Sequence, residues 1–127
     1  MRCKMITKIR AWIKTEKCFA DYIESIRFYI NEIDLCWGGI CESVCFDFKD
    51  VILMQSTGLF DKNNKEIFEG DIVLVLGSLY TVFYDIEKGS YRLKPHDDRW
   101  VVDYMSNFSH GGNFEVVGNI YENKELL

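Results

Sequence analysis

The chain has 127 residues, enough for one domain that buries its own core without help from a metal or a disulfide. A composition that is 48% hydrophobic and 15% aromatic excludes a disordered chain, and a single proline among nine glycines leaves no Pro- or Ser-rich linker. The net charge of −5 is uneven: residues 1–60 carry eight basic and eight acidic side chains, whereas residues 61–127 carry seven and twelve, so there is no basic stripe for duplex DNA.

Arg2, Lys4, Lys8 and Arg10 near the amino terminus are not followed by the apolar run of a secretory leader. No stretch reaches the roughly 18 apolar residues of a membrane span. Cys3, Cys18, Cys36, Cys41 and Cys45 are odd in number and irregularly spaced, which reads as reduced thiols in a cytoplasmic protein.

In chain order, Cys3 to Trp12 mixes basic and apolar residues as a strand half facing water would, and residues 14–17 form a polar turn. Residues 18–37 fit two templates. Phe19, Tyr22, Ile23, Ile26, Ile30, Ile33 and Trp37 recur at steps of three and four, which by periodicity favours a helix stopped at Gly38-Gly39. The competing template is two strands, with Ile26, Phe28 and Ile30 on one and Ile33, Leu35 and Trp37 on the other, joined at Asn31-Glu32. Ile40 to Phe48 alternates as a strand should, Lys49-Asp50 turns the chain, and Val51 to Gln55 is a short apolar strand. Asp61 to Lys65 reads as an exposed loop.

At Gly70-Asp71 a polar loop gives way to the unbroken run Ile72 to Leu76, a central strand. Gly70 is expected at positive φ, where only glycine turns without steric cost. Gly77-Ser78 turns into Leu79 to Ile86, and Glu87 to Ser90 is a hairpin loop with Gly89 left-handed. Tyr91 to Pro95 completes a three-stranded meander, the usual middle of a small SH3-like barrel. Trp100 to Met105 is a further apolar stretch, Asn107 to Asn113 is a loop, and Phe114 to Tyr121 is the closing strand, interrupted at Gly118 by a bulge or a close backbone approach. The expected fold is therefore mainly β: an SH3-like small barrel over about residues 50–127 with a β-rich extension over 1–49, the two forming subdomains of one domain, and with one helix in 18–37 as the open alternative.

Leu53 to Val73, which includes Gln55-Ser56-Thr57-Gly58-Leu59, Asp61-Lys62-Asn63-Asn64-Lys65 and Glu69-Gly70-Asp71, resembles the YopX family. Arg10-Ala11-Trp12, Asn107-Phe108-Ser109-His110 and Glu115 to Asn123 resemble the same family. The sequence departs from the family pattern at Ser56, Asn64 and Lys124, where Tyr, Gly and Pro are usual; Ser56 removes an aromatic, while the other two loosen turns. The resemblance implies a mostly β fold, which tilts residues 18–37 toward strands. It also implies a protein of phages or prophages of low-GC Gram-positive bacteria, and it carries no activity or catalytic residue with it.

Several residue groups invite chemistry. His96-Asp97-Asp98 and His110 could ligate a metal or act as a base, but His96 follows Pro95 at a strand end, where charged loops are ordinary. Cys36, Cys41 and Cys45 lack the paired spacing of a zinc site. Gly38-Gly39 and Gly111-Gly112 lack the Lys-Ser/Thr of a phosphate loop. The candidate ligand-binding set is Tyr80, Tyr84, Tyr91, Arg92, Lys94, Arg99, Trp100 and Tyr104, since stacking beside cations suits a base or an anionic ligand. The same rings could instead fill the core and a subunit interface.

The function expected is a non-enzymatic binding or adapter protein, without a cofactor or metal, acting on a host protein or by self-assembly into a homo-oligomer. Phe19, Tyr22, Phe28, Tyr29, Trp37, Phe46 and Phe48 are the aromatic surface expected to support that assembly. One alternative is a binder, or sponge, of a small nucleotide-like ligand in counter-defence. The other is single-stranded nucleic-acid binding.

Overall fold

The computed structural model describes residues 8–39, 42–97, 99, 102–105 and 114–127. Several sequence expectations fall elsewhere: the strand start at Cys3, the loop at 107–113, and Cys41, Asp98, Trp100 and His110 lie outside the described residues. The described chain is mainly β, with twelve strands and short 3-10 turns that include Phe48–Asp50 and Lys124–Leu126. Among the described residues no helix is long and apolar enough to cross a membrane.

The chain divides into two compact units, residues 8–55 and residues 56–127. In the first, β1 (Ile9–Ile13) lies between β2 (Cys18–Phe19) and the first half of β6 (Val51–Phe60), pairing antiparallel with both. A second sheet holds β3 (Tyr22–Arg27), β4 (Glu32–Cys36) and β5 (Val44–Asp47) in that order. Ala11, Ile13 and Val51 from one sheet meet Ile33 and Leu35 from the other, and Ile23, Ile26, Phe46 and Leu53 pack around them. Each Val, Leu, Ile or Phe side chain among them, once buried, contributes about 1.5–3 kcal/mol, so this core is what holds two narrow sheets together.

Residues 18–37 are thus strands and not the helix that their periodicity favours. The pairing shows where the helical spacing came from. Ile23 faces Leu35, but Ser25 faces Asp34, so β3 carries a bulge at Glu24. An extra residue reverses the inside–outside alternation, and Ile23 and Ile26, three apart, both reach the core. Ile30 sits in the turn between the strands, completing a pattern that mimics one helix face. The two-strand template also set its boundary late, since Phe28 and Ile30 belong to the turn rather than to β3.

In the second unit, the end of β6 pairs with β7 (Glu66–Phe68). A five-stranded antiparallel sheet runs in the order β11 (Asp103–Tyr104), β10 (Ser90–Pro95), β9 (Ser78–Asp85), β8 (Asp71–Val75), β12 (Phe114–Asn119). It curls as a half-barrel, in keeping with the small barrel expected. Its core is Ile67, Val73, Val75, Tyr80, Val82, Leu93, Met105 and Phe114.

Gly70 has φ +85° and lies between two neighbours: its N–H donates to Val82 O at 2.8 Å and its carbonyl accepts from Ile120 N–H at 2.9 Å. Gly89 is left-handed at φ +62°, as its hairpin requires. The bulge expected at Gly118 is present, as a register shift between Val116 and Gly118 against β8. One loop departs from expectation. Asp61 opens the 61–65 loop but is itself 6% exposed, because its carboxylate is the loop's internal acceptor.

Candidate functional site

Of the eight residues proposed for ligand binding, the seven described ones are not brought to one place. Register pairs Tyr91 with Tyr84, Leu93 with Val82 and Pro95 with Tyr80. Alternation therefore puts Tyr80, Tyr84 and Tyr91 on the face that carries the core residues Leu93 and Val82. Tyr80 is buried among them, and Tyr84 and Tyr91 meet edge to face with centroids 5.1 Å apart. Burial pushes the Tyr91 hydroxyl upward, with the nearby Glu69 charge adding to it.

Arg92 and Lys94 fall on the opposite face. The Arg92 guanidinium donates to Asp85 Oδ2 at 2.9 Å and to Val102 O at 3.2 Å, and lies 4.5 Å over the Tyr104 ring. That pairing holds the Asp85 carboxyl below its ordinary range. Arg99 is spent on Asp97 at the surface, the closest contact being 2.6 Å, and holds that carboxyl down to about 2. Trp100 lies outside the described residues. The sheet thus separates Tyr80, Tyr84 and Tyr91 from Arg92 and Lys94, while Arg92 and Tyr104 do come together.

His96 has a structural role in this geometry. Its Nδ1 is 2.9 Å from Leu126 O, and since a carbonyl only accepts, Nδ1 carries the proton. In the neutral ring Nε2 then accepts from the Thr81 hydroxyl at 2.7 Å. Both nitrogens are committed to tying the carboxy-terminal turn to β9. Among the described residues no group of three or more His, Cys, Asp or Glu is placed to hold a metal ion.

The more telling feature is the β3–β4 hairpin. Its turn is Phe28-Tyr29-Ile30-Asn31, with Asn31 left-handed at φ +56°, a conformation Asn tolerates. Phe28 is 71%, Tyr29 82% and Ile30 46% exposed. Turns ordinarily carry Gly, Asn, Asp, Ser or Pro, so three consecutive large apolar side chains here work against solubility with no gain in turn geometry. Phe28 leans edge-on against Phe48, centroids 5.8 Å apart, which leaves most of its ring uncovered.

Below the tip a polar cluster fixes the hairpin. Arg27 is bidentate to Asp34, at 2.6 and 3.0 Å, and reaches Glu32 at 3.4 Å; the Ser25 hydroxyl donates to the same Asp34 at 2.6 Å. These contacts hold the Asp34 carboxyl far below the usual range, the Arg27 hydrogen bond foremost and that of Ser25 next. Cys45 lies within 3.5 Å of Arg27, yet burial and the Glu32 charge push its thiol upward. Arg27 is already neutralised by Asp34, so this thiol lacks the free cation that would make it a nucleophile. The cluster clamps the hairpin and presents its tip.

Sequence reasoning named Phe28 and Tyr29 as aromatic surface but did not recognise the tip. The available signal was Arg27 and Glu32 flanking four residues that end in Asn, with Ser25 and Asp34 one alternation further back. That pattern is a hairpin with opposite charges paired across it.

These features define a mostly β protein with a half-barrel sheet in one unit and an apolar hairpin tip in the other. The chain belongs to the YopX family: the family described as YopX protein matches residues 8–127. Among solved structures it is similar to protein EF1440 from Enterococcus faecalis, at 29% identity and a TM-score of 0.64, over 98% of this chain and 99% of that one. No curated protein matches the chain.

Proposed function

We propose that the chain is a non-enzymatic adapter of phage or prophage origin that acts in the cytoplasm of its bacterial host by docking on a host protein through the β3–β4 tip. The observation that carries this reading is the run of exposed apolar side chains, Phe28, Tyr29 and Ile30, on a hairpin held rigid by the Arg27–Asp34 pair. A convex tip of this kind fits a concave apolar pocket on a partner. Burying each of the two rings there is worth about 1.5–3 kcal/mol, or some ten- to hundredfold in affinity.

A photoreactive phenylalanine analogue placed at Tyr29, with the same analogue at Ile86 as an exposed control, tests it in host lysate. The expected result is one crosslinked host protein at position 29 only, competed away by excess unlabelled wild-type chain but not by the F28S/Y29S variant. Equal labelling from both positions, or competition by that variant, overturns the reading.

A further inference from the structure

Apart from the tip, the first unit has, among the described residues, an open sheet edge, and its backbone indicates what can pair with it. β5 ends the β3-β4-β5 sheet, with Leu35 facing Val44, Asp34 facing Cys45, Ile33 facing Phe46 and Glu32 facing Asp47. The next pair in the same register is Asn31 with Phe48, and Phe48 N–H donates to Asn31 O at 2.9 Å. Hydrogen-bonded and non-hydrogen-bonded pairs alternate along an antiparallel ladder. Val44 and Phe46 therefore direct their N–H and C=O groups at β4, and Cys45 and Asp47 direct theirs outward, as Ser43 does one step further back.

Proteins blunt such edges with bulges, prolines or lysines. β3, at the other side of this sheet, has its bulge at Glu24. β5 is a regular strand, Val-Cys-Phe-Asp, without proline or lysine, and Val44, Cys45 and Asp47 are exposed along it.

We propose that β5 pairs antiparallel with β5 of a second copy of this chain, centred on Cys45, joining the two three-stranded sheets into one. Self-complementarity selects this occupant and this register. With Cys45 opposite Cys45 of the other copy, Ser43 stands opposite Asp47, and three pairs of outward-facing residues exchange about four hydrogen bonds, since the Asp47 C=O already serves the 3-10 turn that Asp47 caps. Val44 then meets Phe46, apolar against apolar, and Glu42 meets Phe48, so no two carboxylates face each other. A shift of the centre to Phe46 leaves about two of those bonds, and a shift to Val44 sets Phe46 against Glu42 in place of Val44. Centring on Asp47 sets its carboxylate directly against its own copy, which is destabilising. The result is an isologous two-fold contact. It is a small one, so the dimer forms reversibly with concentration.

Light scattering and amide hydrogen exchange on the full chain, each at low and at high protein concentration, test the proposal. The expected mass is 14.9 kDa at low concentration, rising toward double that value. Amides of Cys45 and Asp47 should gain protection with the rise, whereas those of Val44 and Phe46 should be protected throughout. The C45P variant removes one outward donor without touching the β4 ladder, and should stay monomeric with Val44 and Phe46 still protected. If C45P does not fold, the wild-type exchange pattern decides alone. A mass that never rises overturns the proposal. So does a dimer in which Cys45 and Asp47 still exchange freely, or a monomer that purifies with a foreign strand protecting those two amides.

Discussion

The Asp61 carboxylate accepts a hydrogen bond from Val116 N–H at 2.9 Å, tying the β6–β7 loop to the bulged edge of β12 across 55 positions of sequence. Its other oxygen accepts from Asn63 N–H at 2.9 Å and Lys65 N–H at 2.8 Å. The Lys62 ammonium reaches Glu115 at 3.3 Å, and Lys62 N–H donates to Phe114 O at 2.9 Å, so loop and strand are joined at three points. Asn in place of Asp61 must turn an NH₂ toward one of these donors. D61N is therefore expected to lower stability by about 2 kcal/mol, the cost of losing a buried charge-assisted bond, as read by urea denaturation.

The same carboxylate sets a pH dependence. Burial works to raise the Asp61 pKa, but the backbone donors of Val116, Lys65 and Asn63 outweigh it, and the net shift is downward. A group with a depressed folded pKa contributes stability that is present above its unfolded value, near 3.9, and is lost as pH falls through the folded one. The wild-type chain should lose stability below about pH 4 more steeply than D61N does. Parallel acid titrations of the two would reveal an Asp61 with no such role.

Gly70 holds φ +85° while both its backbone groups are bonded, to β9 on one side and to Ile120 on the other. Alanine resists that conformation, so G70A should cost about 1 kcal/mol or more. Thermal unfolding of the variant measures it, and an unchanged midpoint would be inconsistent with the strain.

Gly118 leaves no room for a side chain. A Cβ there would stand 2.6 Å from Asn123 Oδ1, the atom that accepts Asn119 N–H at 3.1 Å. G118A should therefore cost about 1–2 kcal/mol, chiefly by displacing Asn123. Most of that loss should vanish in an N123A background, since residues in contact are not additive. A double-mutant cycle with no coupling would place the cost elsewhere.

At the hairpin tip, stability and binding should separate. Tyr29 is 82% exposed, so Y29S should change folding stability by no more than about 0.5 kcal/mol. The same change should abolish capture of the host partner. A variant that unfolds, or one that binds as before, would contradict the proposed role.

The amino-acid sequence by itself determined what depends on neighbouring residues. The positive φ of Gly70 and Gly89, the meander from Asp71 to Pro95 and the bulge at Gly118 follow from local sterics and from period-two alternation, which a chain cannot hide. Tertiary structure decided the rest. The bulge at Glu24 brought Ile23 and Ile26 to one face, and so turned a helix-like spacing into two strands. Asp61 looked like an ordinary turn former because its third donor, Val116, is distant in sequence. Tyr91 and Arg92 are adjacent in the chain yet lie on opposite faces of the sheet, because consecutive side chains of a strand point to opposite sides. Which of those faces would be filled by the core was set by contacts that form only when the sheet closes.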